Sequence, residues 1–455
     1  MMNTLVLPAS LALVTLALAA CDPAELPDGA PAGACPAPRG PTVHSGDRIA
    51  DDETWTAEGS PHIVESFVEI TEAARLTVEP CAEVQFAENA GIGVAYIGEG
   101  QEGALIAEGT EERPIRLAGK DGARWVGVLV QAPGTATLRH VTIEGASGDS
   151  PDGEASLVIH GDMTMPVKKP VLVDHVTIKD SISHGVEVNR MAGFADGSTE
   201  LVVTGSGLEQ PAYPLVVSEH ALDSIPTGQY TGNARDEIRV IDEGAGRAAS
   251  GIQTDATVRD RGVPYIIGSS EGATLIVGGT LDGSVAKLTI EPGVVLRFVR
   301  GASLSVELFS TEDPATGVLH AVGTPDKPIV FTSAEESPAA GDWMGIWFGS
   351  VFQPENRIEH ARIEYAGSET HSILLTCNEP GIHEGGVILT TPPPSQFIQH
   401  TTFAHITGHG VHRGWRGPSA PDFADTNTFE DLTGCAVSTP PDEDLYCPEP
   451  PPTCP

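Results

Sequence analysis

The sequence predicts an all-β fold in which similar coils stack on one another instead of folding around one compact core. The first observation is an internal duplication, because four segments return in the same order between 212 and 220 residues later. The matched segments are LTVEPCAEVQF (76–86) with LTIEPGVVLRF (288–298), ALIAEGTEERPIRL (104–117) with VLHAVGTPDKPIVF (318–331), WVGVLV (125–130) with WMGIWF (343–348), and LRHVTIE (138–144) with IEHARIE (358–364). Ordered repetition of whole blocks is typical of architectures built by stacking.

The second observation is alternation of aliphatic and variable positions. In the second copy Leu319 alternates with Ala321, and Ile329 alternates with Phe331 after an intervening turn. The first copy has aliphatic residues at the same points, namely Leu105, Ala107, Ile115 and Leu117. This pattern predicts strands buried on one face, whereas no segment shows sustained helical periodicity.

The third observation is a shorter period marked by histidines. His140, His175, His360 and His400 each have an aliphatic residue two positions before and Ile or Phe three positions after. The spacing predicts a bend between two strands, repeated once per coil. Stacked coils would then place like residues above like and fill the interior with aliphatic rows.

The domain boundaries follow from changes in composition. We expect a signal segment at 1–21, a Pro/Gly/Ala-rich tether at 22–50, and a first stacked block at 51–253. The duplicate block follows at 254–437, and an acidic tail rich in Pro and Cys occupies 438–455. The tether and the tail are placed to cap the two open ends of the stack.

The N-terminal residues predict export. Residues 5–20 form an apolar run without charge, too short for a comfortable membrane span, and end in Leu-Ala-Ala before Cys21. This ending resembles a bacterial lipobox, which implies that Cys21 carries a lipid and anchors the chain in a membrane. We expect a protein of the cell envelope, at the outer membrane or cell surface, although the sequence leaves the choice of membrane open.

The charge limits the partners. The formal net charge is −38, with 63 acidic side chains against 25 Lys and Arg. A surface this acidic repels phosphate backbones and anionic lipid headgroups, so nucleic acid is excluded as a partner.

The chain has seven cysteines, and six remain once Cys21 is assigned to lipid. An even number in an oxidising compartment predicts disulfides, although six cysteines allow 15 connectivities. Proximity favours a Cys35–Cys81 bond at the N-terminal end and bonds among the last four at the C-terminal end. The disulfide candidates are Cys35, Cys81, Cys377, Cys435, Cys447 and Cys454.

The repeated LT-[VI]-E-P, G-T…P-I, W-x-G and H-x-x-I-E motifs carry a resemblance over most of residues 51–437. The chain resembles right-handed parallel β-helix repeat proteins of the bacterial cell-surface lipoprotein type. Residues 213–240 and 262–268 look like the segments that link large blocks in such proteins. The resemblance implies a single-stranded β-helix solenoid but no particular activity, because this fold hosts unrelated functions.

Two groups of side chains are candidates for binding. His405, His409 and His412 could gather around a transition metal, although the bend pattern explains part of the histidine content. Trp347, Tyr365 and Trp415 could offer flat rings for sugar stacking. Trp125 and Trp343 recur at equivalent points, which predicts a structural role. We expect no cofactor, and a bound Ca²⁺ would be structural.

The sequence thus predicts a non-catalytic, lipid-anchored protein that presents a rigid face to extracellular glycan or envelope components. The alternative is a polysaccharide lyase or glycoside hydrolase of the pectate-lyase-like β-helix class. A third reading is a purely structural spacer of the envelope. Convergence of acidic and basic side chains on one face would favour the enzyme.

Overall fold

Parallel strands dominate the chain. The computed structural model describes residues 33–96, 101–146, 155–207, 212–243, 251–269, 272–278, 285–306, 316–349, 352–368, 384–415, 419–440 and 454–455. These ranges contain 37 β-strands and two short 3-10 helices. The chain divides into the units Met1–Ala34 and Cys35–Pro455, and every strand described lies in the second unit.

The first copy and the junction contain strands β1 to β21. They are β1 (Thr42–His44), β2 (Arg48–Ile49), β3 (Glu53–Trp55), β4 (His62–Val64), β5 (Phe67–Ile70), β6 (Ala74–Val78), β7 (Glu83–Phe86), β8 (Gly91–Val94), β9 (Gly103–Glu108), β10 (Ile115–Gly119), β11 (Gly127–Gln131), β12 (Thr135–Arg139), β13 (Val141–Glu144), β14 (Ala155–His160), β15 (Lys168–Lys179), β16 (His184–Asn189), β17 (Ala192–Phe194), β18 (Thr199–Thr204), β19 (Leu215–Ser218), β20 (Gly228–Gln229) and β21 (Ile238–Ile241). The two 3-10 helices are Lys120–Gly122 and Glu219–Ser224.

The second copy contains strands β22 to β37. They are β22 (Ala256–Val258), β23 (Tyr265–Ile267), β24 (Thr274–Val277), β25 (Val285–Ile290), β26 (Val295–Phe298), β27 (Ser303–Val306), β28 (Thr316–Val322), β29 (Ile329–Ser333), β30 (Gly345–Phe348), β31 (Arg357–Glu359), β32 (Ala361–Glu364), β33 (Gly385–Leu389), β34 (Ile398–Gln399), β35 (Thr402–Ile406), β36 (His409–Arg413) and β37 (Thr428–Leu432).

Most strands pair in parallel with the third strand that follows them in the chain. In the first copy this produces three ladders, which run β3-β6-β9-β12-β15, β4-β7-β10-β13-β15 and β5-β8-β11-β14-β16. The twelve-residue strand β15 belongs to the first two ladders and joins them into one 13-stranded sheet. The second copy has three ladders as well: β22-β25-β28-β31-β34, β23-β26-β29-β32-β35-β37 and β24-β27-β30-β33-β36. The fold is all-β with parallel sheets, an arrangement compatible with a β-helix solenoid.

The register of these ladders keeps apolar side chains on one side. Val84, Leu117, Ile143 and Ile178 follow one another as register partners on four strands, and each is at most 1 % exposed. The predicted inward positions of both copies are buried in the same way, including Leu105, Ala107, Leu319 and Ala321. Because side chains alternate between the two faces of a strand, a slip by one residue would turn this whole row outward.

The two copies also repeat one aromatic stack. The Phe86 ring stacks on Trp125 with centroids 4.1 Å apart, and Phe298 stacks on Trp343 at 4.2 Å. The indole Nε1 of Trp125 donates to the carbonyl oxygen of Glu144, and that of Trp343 donates to the carbonyl oxygen of Glu364. Both tryptophans are fully buried, which confirms their predicted structural role.

The histidine bends are confirmed as well. His140, His175, His360 and His400 all have φ between 46° and 52°, the left-handed region that turns a strand sharply. Their rings stack in pairs, with centroids 4.7 Å apart for His140 and His175 and 5.0 Å for His360 and His400.

The duplicate is shifted by one ladder relative to the first copy. By sequence, β26 is the counterpart of β7 and should extend the second ladder. It lies instead in the 14-stranded sheet that continues the third ladder, through β19, β21 and β23. Equivalent outer surfaces of the two copies therefore belong to different sheets.

The ends of the stack differ in part from the prediction. Strands β1 and β2 lie inside 22–50, so strand pairing begins before the predicted start at residue 51, because Val43 and Ile49 already find register partners. At the other end, Val437 forms a parallel bridge with Val411, close to the predicted boundary.

Among the described residues, two disulfides lie near the two ends of the strand-containing part of the chain. Cys35 bonds to Cys81 and Cys435 bonds to Cys454. Cys81 has φ 76°, and its counterpart in the second copy, Gly293, has φ 91°, so the cysteine occupies a turn position that favours glycine. Cys377 and Cys447 lie outside the described residues.

We expect Trp343→Ala to lower the free energy of unfolding by about 3–5 kcal/mol, because it removes a buried ring from the core. Trp347→Ala is the matched control, since Trp347 lies four residues later, in β30, and is half-buried. Urea unfolding followed by circular dichroism measures both. Equal losses for the two variants would contradict the structural role of the repeated stack.

The double substitution Cys35→Ser with Cys81→Ser removes a bond that closes a separation of 46 residues. We expect it to cost about 2–4 kcal/mol. Replacing Cys81 with Gly in the Cys35→Ser background should recover about 1 kcal/mol, because glycine adopts positive φ without a Cβ penalty. Unfolding by urea under non-reducing conditions compares the two. A Gly variant no more stable than the Ser variant would contradict the turn assignment.

Candidate functional site

The stack is interrupted at the junction of the two copies. The 13-stranded sheet ends there, and the two five-stranded sheets begin at β22 and β24. The 14-stranded sheet alone passes through among the described strands. Between β19 and β20 the chain forms the 3-10 helix Glu219–Ser224 in place of a strand. Regular strand pairing is lost at this point, and a cleft opens beside the helix.

The cleft has a volume of about 180 Å³. Its apolar side is formed by Met165, Val167 and Ile252. Its polar side includes the carboxyl groups of the 3-10 helix and of the segment before β22. These polar lining residues are Glu219, His220, Asp223, Gln253 and Asp255, with Lys169 beside them.

Two carboxylates bind backbone amides at the junction. Glu219 is 3 % exposed and accepts from the amides of Glu243 at 3.0 Å and Gly251 at 3.3 Å. Glu243 in turn accepts from the amides of Arg190 and Met191. The pair thus ties together the end of β16, the 3-10 helix and the segment after β21.

Burial shapes the ionisation of both groups. Desolvation raises the pKa of Glu219 above its ordinary value, and nearby Asp242 adds to the rise. Desolvation also raises the pKa of Glu243, with a further contribution from the charge of Glu219. The amide hydrogen bonds act in the opposite direction but do not reverse either shift. His220 lies close by, with its Nε2 3.8 Å from Glu219 Oε1.

The remaining charged groups of the cleft have identifiable contacts. Asp223 accepts from the amide of Thr257 at 3.1 Å and forms an ion pair with Arg259 at 3.2 Å. Asp255 Oδ1 accepts from the amide of Lys287 at 3.0 Å. Lys169 pairs with Asp196 at 2.6 Å. The contacts of Asp223 hold β22 against the 3-10 helix.

Sequence reasoning placed a linking segment at 213–240 but did not assign a site to it. The available signal was the sequence EHALDSIP at 219–226, where alternation stops and a proline follows. This segment lines the cleft together with Ile252 and Met165, which are distant from it in sequence. The cleft was therefore not visible from local pattern alone.

The predicted histidine site is not assembled. His405 lies in β35, is partly exposed, and its Nδ1 is 2.8 Å from a carboxylate oxygen of Asp431. His409 and His412 belong to β36 in another sheet, and the Nδ1 of His409 accepts from the amide of Cys435. Burial lowers the pKa of His409. Among the residues described here, no group of three or more His, Cys, Asp or Glu is placed to hold a metal ion.

The three predicted binding rings do not form one surface. Trp415 is 3 % exposed and belongs to the hydrophobic core, so the expectation that it is exposed is wrong. Trp347 lies in β30. Its register partner on the neighbouring strand β33, Ile388, is only 1 % exposed. Tyr365 follows β32 in a different sheet and stacks on His405, with centroids 5.1 Å apart.

Basic side chains on the outer faces are held between carboxylates. Arg116 contacts Glu83 at 2.8 Å and Glu144 at 3.0 Å, on three successive strands. Arg139 is held in the same way between Glu108 and Asp174. These cross-strand pairs neutralise the basic groups locally.

Cys21, the predicted lipid attachment site, lies outside the described residues. Within the described part of the chain, none of the helices combines the length and the apolar character needed to cross a membrane. The chain matches no protein-family model, no curated protein and no solved structure in the comparisons made.

The raised pKa values of Glu219 and Glu243 predict a pH dependence of stability. Each group binds its proton more tightly in the folded state, so its stabilising contribution is present below the unfolded pKa near 4.5. That contribution is lost as the pH rises through the folded value. We expect the urea midpoint to fall between pH 4.5 and 7.5, and to fall less in the Glu219→Gln variant.

The exposed carboxylate Glu336 provides the control for this measurement. Glu336→Gln should leave the pH dependence of the midpoint unchanged. Equal slopes for Glu219→Gln and the parent chain would show that the junction carboxylates do not titrate as described.

Proposed function

We propose that this chain is an exported, lipid-anchored protein of the right-handed parallel β-helix type that binds extracellular glycan or an envelope component without cleaving it. The single observation that carries the binding site is the cleft at the junction. It is the place where the 13-stranded sheet ends, the two five-stranded sheets begin, and polar groups lie opposite apolar side chains.

The solenoid assignment rests on strand pairing. Most strands pair with the third strand after them, and inward rows such as that of Val84 and Leu117 stay buried along the ladders. A stack of this kind is stiff along its ladders, so it can hold a cleft at a fixed place. The lipobox-like ending at Cys21 supports the anchor.

Glycan is supported as the ligand class by the two sides of the cleft. A sugar ring presents C–H faces that pack on apolar side chains and hydroxyl groups that hydrogen-bond to carboxylates and amides. Met165 and Val167 provide the first kind of contact, and Asp255 and Gln253 provide the second. The excess of acidic groups on the chain disfavours polyanionic polymers.

One observation favours the enzyme alternative, a polysaccharide lyase or hydrolase. Glu219 is a buried carboxyl group with a raised pKa beside His220, and such perturbed groups in a cleft are typical of general acids. Against this, its carboxylate oxygens accept hydrogen bonds from the amides of Glu243 and Gly251. We therefore place binding ahead of catalysis.

The test incubates the full chain, in mild detergent with its disulfides intact, with neutral, cationic and acidic polysaccharides in the presence and absence of Ca²⁺. Retention on the polymer and formation of new chain ends are both measured. We expect retention on a neutral or cationic polymer without new ends. Val167→Asp should weaken retention, whereas Val43→Asp, at an exposed position of β1, should not.

New chain ends would contradict the non-catalytic assignment and support the enzyme alternative. Their loss in Glu219→Gln would assign the site to the cleft. Neither retention nor cleavage on any polymer would leave the structural spacer as the better description of the chain.

A further inference from the structure

The charges of the junction cleft are unbalanced toward the acidic side. Glu219, Asp223 and Asp255 line it, against one lysine. Lys169 is already paired with Asp196 at 2.6 Å, so its charge is compensated outside the acidic group. The cleft thus faces its ligand with carboxylates.

The three carboxylates are not equivalent. Glu219 is buried and holds backbone amides, and Asp223 is paired with Arg259. Asp255 is exposed. Its Oδ1 accepts the one hydrogen bond described for this side chain, from the backbone amide of Lys287. Among the described residues its second oxygen has no such contact, so Asp255 is the carboxylate able to take a charged donor from a ligand.

The apolar side of the cleft restricts the ligand independently of the charges. Met165 is 39 % exposed although it is a large apolar side chain, and it lies at the rim with Val167. Ile252 closes the apolar side at 3 % exposure. A small inorganic cation would use none of this surface, whereas a ring with an apolar face and a cationic substituent would use both sides.

We propose that the junction cleft selects sugar units that carry a free protonated amine, such as unacetylated hexosamines. The ammonium group contacts Asp255, and the C–H face of the ring packs on Met165 and Val167. This inference rests on the proposed glycan-binding function and names its ligand class. The net charge of −38 assists the approach of such a ligand at long range.

The test measures binding of the full chain to three short oligosaccharides by calorimetry. The probes are a glucosamine tetramer, its fully N-acetylated counterpart and a neutral glucose tetramer. We expect the glucosamine tetramer to bind at least about ten-fold more tightly than the N-acetylated one at low salt. Raising the ionic strength should narrow this difference, because part of the attraction is between exposed charges.

Asp255→Asn is the decisive variant. Asparagine retains a carbonyl oxygen for the Lys287 amide and removes only the charge, so the junction should stay folded. We expect about five-fold weaker binding of the glucosamine tetramer and unchanged binding of the N-acetylated one. Asp326→Asn, an exposed carboxylate in a turn of the second copy, is the matched control and should bind like the parent chain.

Equal losses in Asp255→Asn and Asp326→Asn would overturn the inference, because they would indicate general attraction by the acidic surface. Equal affinity for the acetylated and unacetylated tetramers would also overturn it, while leaving glycan binding intact. Failure of all three oligosaccharides, together with no retention on any polymer, would overturn the proposed function itself.

Discussion

Parallel pairing, in most cases between a strand and the third strand after it, is the constraint on which the whole structure depends. It satisfies the backbone groups of each strand with those of its neighbours in the sheet, about 4.8 Å away. The same pairing fixes which side chains face inward, as in the row Val84, Leu117, Ile143 and Ile178. The bends at His140 and its counterparts and the Phe–Trp stacks follow from this pairing, because strands in register need the same turn and the same packing at equivalent points.

The junction is where that constraint is relaxed. The second copy is shifted by one ladder relative to the first. Two of its three ladders therefore begin at the junction and do not continue a ladder of the first copy. Backbone amides near the junction donate to the carboxylates of Glu219 and Glu243. Burying these carboxylates is costly, and their raised pKa values express this cost. The cleft and its charged lining are the physical result of joining two regular stacks out of phase.

The candidate sites show which features local sequence patterns can predict and which they cannot. Histidines at 405, 409 and 412 are close in sequence, but the chain passes from one sheet to another between 405 and 409, so spacing did not imply convergence. Nothing in the sequence around Trp415 distinguishes a buried tryptophan from an exposed one. Trp125 and Trp343 could be assigned correctly because duplication showed that both copies need the same residue at the same point.

The sequence by itself determined the repeated, strand-rich character of this protein, the inward rows of each copy, the histidine bends and a disulfide partner for Cys35. These features depend on residues close in sequence or on comparison of the two copies. The tertiary structure alone decided the phase between the copies and the cleft that results from it. The physical reason is that Met165, Glu219 and Asp255 belong to three segments that are distant in sequence, and only the folded structure brings them to one cleft.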